Sequence, residues 1–170
     1  EVFYIPESLK SVTVTGGNIV YGAFSECKNI QNITLTDNVE GVEDRAFYNC
    51  SALVSVTIPR TVTSIEEKMF DGCNALESIY FLGDVADWCG IEGLNRLNKT
   101  VVYISGQKWT EITSVVIPDG VTSIADHAFY KCTSLTSVVI PDSVTSIGAD
   151  SFSFCPIESA TIPAMAARYV

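Results

Sequence analysis

Apolar and polar residues alternate in short bursts along the chain, and the bursts return at a fixed interval. In Leu53 to Cys73, Val56 and Ile58 alternate with Ser55 and Thr57, the period of a half-buried strand. Pro59 removes a backbone donor and ends the strand. Val62, Ile65, Met69, Phe70 and Cys73 follow at near-helical spacing, which predicts a turn and a short helix with one apolar face. One unit therefore reads strand, turn, helix, turn. The Phe of the Ala-Phe-x-x-Cys element falls at Phe24, Phe47 and Phe70, then at Phe129 and Phe152, and 47−24, 70−47 and 152−129 each give 23. Strand cores recur in the same register at Val12–Val14, Ile33–Leu35, Val56–Ile58, Ile79–Phe81, Val102–Ile104, Val115–Ile117, Val138–Ile140 and Ala160–Ile162. Eight strands at one solenoid turn apiece stack like on like, each turn burying its apolar face against its neighbours.

The period is rewritten between about residues 84 and 113. Val85 to Cys89 predicts a short helix in place of the Ala-Phe-x-x-Cys element, broken by Gly90 and Gly93, with Asn95, Asn98 and Lys99 in a loop. Val101 to Ile104 and Ile112 to Ile117 are strands joined through a Ser105-Gly106-Gln107 turn, forming either one very short coil or a local hairpin. The short coil is the expectation, because the strands before and after keep the phase of the repeat. Residues 1–22 read as a degenerate first turn, and the Ala-rich stretch after Pro163 as a helical end. The chain begins without an initiator Met or a charged-then-apolar leader, which reads as a mature form or a piece of a longer solenoid.

Ile58-Pro59-x-x-Val62-x-x-Ile65 leads into Met69-Phe70-x-x-Cys73, and the pattern returns at Ile117 to Cys132 and at Ile140 to Cys155. On these motifs the chain resembles the BspA-like leucine-rich repeats of bacterial and some protist surface proteins. Its interruption, with Asp87-Trp88-Cys89-Gly90-Ile91 and Tyr103-Ile104-Ser105-Gly106, is similar to one met in that family. Thr36 in place of Pro, Val42 in place of Ile, and a missing residue between Cys155 and Ser159 depart from the pattern. The resemblance implies a single α/β leucine-rich-repeat solenoid over residues 1–170, with a parallel sheet on one face and short helices on the other. Parallel crossovers imply a right-handed coil. The resemblance further implies an extracellular or cell-surface place and a part in adhesion or host interaction.

Composition narrows the possible partners. Of 170 residues, 47% are hydrophobic and 18% charged, enough for a continuous apolar column. No apolar run approaches the ~18 residues of a membrane-spanning helix. A net charge of −10, with scattered Lys and Arg, argues against nucleic acid and against an anionic membrane surface. Cys27, Cys50, Cys73, Cys132 and Cys155 share one repeat position, so they read as a ladder of buried thiols. A bridge between adjacent turns, such as Cys50 to Cys73, is the alternative. No Cys-x-x-Cys is present to suggest a structural zinc or a redox pair.

Catalysis needs a constellation that the sequence does not offer. His127 is the single histidine and occupies a position filled elsewhere by Arg45 and Lys68, so it reads as a solvent-facing residue. Neither a Gly-x-Ser-x-Gly nor a phosphate loop occurs. Asp119 and Asp142 stack one turn apart but supply too few oxygens for calcium, so neither cofactor nor metal is expected. Asp44, Glu67, Asp126 and Asp150 lie just before the Ala-Phe-type pairs and read as carboxylates at helix starts. Recognition needs only a surface, and the outward strand positions form one: Thr13, Thr34, Thr57, Tyr80, Tyr103, Val116, Val139 and Thr161. Thr34, Thr57, Tyr80, Tyr103, Val116 and Val139 are the candidate binding residues, centred on the two tyrosines. The expected function is non-catalytic recognition of a protein or glycan, host matrix included, by a monomer. The alternatives are a spacer or targeting repeat of a larger secreted enzyme, or an array self-associating through its terminal strands.

Overall fold

The computed structural model describes residues 5–97 and 101–164. In chain order it contains strands β1 (Ser11–Val14), β2 (Gly17–Ile19), β3 (Asn32–Leu35), β4 (Val39–Val42), β5 (Ser55–Ile58) and β6 (Ser78–Phe81), then helix α1 (Val85–Cys89). A 3₁₀ turn at Leu94–Leu97 precedes β7 (Val101–Ile104) and β8 (Gln107–Lys108). A second 3₁₀ turn at Trp109–Glu111 leads to β9 (Ser114–Val116), β10 (Ser123–Ile124), β11 (Ser137–Val139), β12 (Ser146–Ile147) and β13 (Ser159–Thr161). Asn98, Lys99 and the Ala-rich end beyond Ala164 lie outside the described residues.

All eight expected strands form, and within each of two sheets they pair as the repeat requires. Val12 lies opposite Ile33, Ile33 opposite Val56, Val56 opposite Ile79 and Ile79 opposite Val102, each pair parallel. Alternation does the rest, placing Ile33, Leu35, Val56, Ile58, Ile79 and Phe81 inside at 3% exposure or less. A second line of short parallel strands, absent from the sequence reading, runs along the stretch after each Pro position: β2 pairs β4, Ser64 bridges Glu92, and β10 pairs β12. Helix α1 has the expected bounds. Asp84 caps it by accepting the Asp87 N–H at 3.0 Å, while the Asp87 carboxylate accepts the Asp84 N–H at 3.0 Å, and Gly90 closes it.

Two expectations are corrected. The Ala-Phe-x-x-Cys segments are turns, not helices. The residue before the Ala and the residue before the Cys both adopt positive φ, as at Arg45 (56°) and Asn49 (56°), His127 (61°) and Lys131 (59°), and Asp150 (55°) and Phe154 (64°). A left-handed residue every fourth position is incompatible with a continuing α-helix. It turns backbone donors toward the next coil instead: Asn49 N–H bonds Asp71 O at 2.7 Å, and Phe129 N–H bonds Ser151 O at 2.7 Å. Bonds along a helix axis are thus replaced by bonds between coils.

The second correction lies at the interruption. The segment after β7 is a hairpin rather than a short coil, because β8 runs antiparallel to β7 with Ile104 opposite Gln107. Ser105 and Gly106 both have positive φ, the conformation a two-residue hairpin loop of the primed type demands. The sheet therefore divides. One part runs β1-β3-β5-β6-β7-β8, the other β13-β11-β9, and no strand pairing joins them among the described residues. Aromatic packing bridges the division, through Phe81, Trp88, Trp109, Phe129 and Phe152 with successive ring centroids 5.0–5.4 Å apart.

Candidate recognition surface

Parallel in-register pairing fixes what each outward position meets. Tyr80 lies opposite Tyr103, so their rings stack at the spacing of adjacent strands, with centroids 4.7 Å apart and planes 17° from parallel. Tyr80 is 39% exposed and Tyr103 half-buried. Thr34 is exposed and Thr57 half-buried on the same sheet. Val116 and Val139 are also exposed, at 64% and 36%, but they stand on the second sheet. The expected single stripe is thus two stripes, parted by β8 and the Trp109–Glu111 turn. Beside the first stripe, the Ser55 hydroxyl donates to Asn32 Oδ1 at 2.7 Å and Asn32 Nδ2 approaches Ser11 Oγ at 3.5 Å, a polar ladder across three strands.

The cysteines are free thiols, as expected of a packing ladder. Each of Cys50, Cys73 and Cys155 donates to the carbonyl of the Phe one coil earlier, at 2.9, 3.0 and 2.9 Å. Ser151 and the indole of Trp88 do the same work with other chemistry: Ser151 Oγ donates to Ala125 O at 3.0 Å, and Trp88 Nε1 to Ala128 O at 2.7 Å. Burial pushes the Cys89 thiol from the ordinary value near 9 up to about 12. Between those values the unfolded chain loses a proton that the folded chain keeps, so stability falls as pH rises from near 9 toward 12. Thermal melts over this range are expected to decline more steeply for the parent than for Cys89→Ala; equal slopes would show that this thiol does not govern the alkaline limb.

The expected carboxylates at helix starts have no helices to cap, and two of them stitch coils together. Asp44 Oδ1 accepts the Lys68 N–H at 2.9 Å, and Asp126 Oδ1 accepts the Ala149 N–H at 2.7 Å. His127 departs from the sequence reading too. It is half-buried rather than solvent-facing, its Nδ1 is buried with no hydrogen-bond partner, and its Nε2 lies 3.9 Å from Asp150 Oδ2. It lines a cleft together with Trp109, which has no counterpart in the regular unit; only the irregular length after β7 hinted at it.

Stacked parallel coils of about 23 residues, the regular ones closing on a Phe and a Cys, define a leucine-rich-repeat solenoid. A family profile for the BspA type leucine rich repeat region matches in six copies over residues 1–88 and 106–169, and the chain belongs to that family. The unmatched residues 89–105 fall within the interruption. Such repeats generally form a non-catalytic scaffold, typically a surface-associated protein-interaction module. No curated protein matches the chain. A leucine-rich repeat protein from Bacteroides ovatus is similar in fold, with TM-score 0.52 and 22% identity over 96% of this chain and 48% of that one. A leucine rich cell surface protein from Faecalibacterium prausnitzii aligns at 22% identity and TM-score 0.41, covering 91% of this chain and 61% of its own. The pneumococcal vaccine antigen PcpA aligns at 14% identity and TM-score 0.40, covering 96% and 63%. The chain thus spans between about half and two thirds of the length of these structures.

Proposed function

We propose that the chain is a recognition module displayed at the cell surface, part of an adhesin that engages a protein or glycan through the first sheet. The observation that carries this reading is the Tyr80–Tyr103 stack, a pair of aromatic side chains at outward strand positions with Tyr80 39% exposed, on the same sheet as Thr34 and Thr57. Exposed tyrosines contribute area at low entropic cost and a hydroxyl for orientation, which suits a contact hot spot. A net charge of −10 favours a partner that presents basic or neutral groups. The surface location rests on the family, and the host-directed role on that location.

The test is binding of the chain to a panel of extracellular-matrix proteins and glycans, beside a folded Tyr80→Glu, Tyr103→Glu double variant. Hot-spot tyrosines are expected to cost ~2 kcal/mol or more on removal, so affinity should fall about thirtyfold. Affinity unchanged in a variant of unaltered melting temperature would take recognition off this face. Absence of binding to every panel member would favour a spacer role.

A further inference from the structure

We propose that the open edge of β9 takes up one extended peptide as an added strand, a site separate from the first sheet and independent of the reading above. Strands β3, β5, β6 and β11 are each paired on both sides, but β9 has β11 alone, because the chain before it turns back into the β7–β8 hairpin. Thr113 C=O accepts the Ser137 N–H at 3.2 Å and the Ile117 N–H donates to Val139 O at 2.9 Å, so these groups face β11. Backbone groups of successive residues point to opposite edges of a strand, so the N–H and C=O of Ser114 and Val116 face the other way. Among the described residues no hydrogen bond reaches them. Exposure agrees: Val116 is 64% exposed, whereas Val139, at the same repeat position but between two strands, is 36% exposed.

The edge states what its occupant must offer. A row of exposed backbone donors and acceptors at strand spacing is matched by another polypeptide backbone, and in a parallel pairing Ser114 O and Val116 N–H take the N–H and C=O of a single peptide residue. That residue lies beside buried Val115, and its neighbours lie beside exposed Ser114 and Val116, so the peptide alternates apolar with small or β-branched side chains. Exposed Asp119 follows the edge, and exposed Asp142 holds the same position one coil on, so charge favours a basic residue at the end of the peptide that lies there. The chain's own regular strand has this pattern: Val56 and Ile58 alternate with Ser55 and Thr57, and Arg60 stands at the repeat position of Asp119. A second copy of the chain does not suit the edge. Three residues beside a hairpin offer far less than the roughly 1,200–2,000 Å² that a stable protein interface buries.

The probe is a fluorescein-labelled peptide that copies Leu53 to Arg60, titrated with the intact chain and followed by anisotropy. Saturable binding is expected, and Arg60→Glu in the peptide should weaken it. N-methylation of the peptide's Val56 removes the donor to Ser114 O and should weaken binding about tenfold. The same change at Thr57, whose amide faces away from β9, should cost far less. In the chain, Val116→Pro deletes the unpaired N–H without breaking an internal hydrogen bond, so binding should fall about tenfold at unchanged melting temperature. The methylated peptides test the neighbouring bond on the parent chain, whatever the fold of that variant. Tyr80→Glu should leave the affinity unchanged, which separates this edge from the first sheet. No saturable binding of the peptide, indifference to methylation at Val56, loss of binding in Tyr80→Glu, or self-association of the chain that Val116→Pro abolishes would overturn the proposal.

Discussion

Phe47→Ala is expected to destabilise the chain by about 3–5 kcal/mol, the range for deleting a fully buried aromatic ring. Phe47 has no exposed surface and stacks between Phe24 and Phe70, with centroids 5.8 and 5.6 Å away. In a solenoid each coil touches only its neighbours, so one truncation weakens two interfaces at once. Domains commonly hold 5–15 kcal/mol in total, so the loss is a large share of the whole. Thr57→Ala, on the outward side of β5, removes little and should stay within about 0.5 kcal/mol. Urea titration of both variants measures the contrast. A Phe47→Ala midpoint within the error of the parent would show that the ring column does not bear the packing energy assigned to it.

The strands were legible because two independent periods agreed on them. Alternation of two set which side chains face inward, and recurrence at 23 set which residue stacks on which; the observed pairing of Val56 with Ile33 and Ile79 needs nothing more. Helix α1 was legible for its spacing, although its Asp84–Asp87 capping pair went unread. The turns were misread for a physical reason. Ala46, Phe47 and Cys50 have spacings of one and three that a short helix and a double turn both satisfy, and burial cannot tell them apart. The discriminating property is the left-handed backbone at Arg45 and Asn49. Side chains announce that conformation weakly unless they are Gly, as at Gly22 and Gly72 in other copies.

The candidate surface was legible to the same depth. Register alone placed Tyr80 against Tyr103, and the stack is its direct consequence. What the repeat could not reveal is anything created by its violation. Ser105-Gly106 carried the hairpin signal, yet the preserved phase of Val102 and Val115 argued for a coil, and the local turn chemistry won. The split of the stripe follows from that local event, as does the position of Trp109 beside His127, since both depend on where the chain goes after the hairpin.

Trp109→Ala should therefore do something no regular-repeat variant does: uncouple the two halves of the solenoid. No strand pairing crosses from β7 and β8 to β9 among the described residues. The junction is held by Ala125 N–H to Cys89 O at 2.7 Å, by Trp88 Nε1 to Ala128 O at 2.7 Å, and by the ring series that Trp109 completes. Trp109 is 7% exposed, and its ring centroid lies 5.4 Å from that of Trp88 and 5.1 Å from that of Phe129. Truncation costs about 3–5 kcal/mol, and it removes both ring contacts through which packing crosses the junction. In a nearest-neighbour array, cooperativity fails where one interface term becomes too weak to bind its sides together. The parent is expected to unfold in one transition, whereas Trp109→Ala should give two, with Trp88 emission and far-ultraviolet circular dichroism no longer coincident. A variant that melts lower but still in one coincident step would mean that the remaining contacts across the junction, the two hydrogen bonds among them, suffice to couple the halves without the ring.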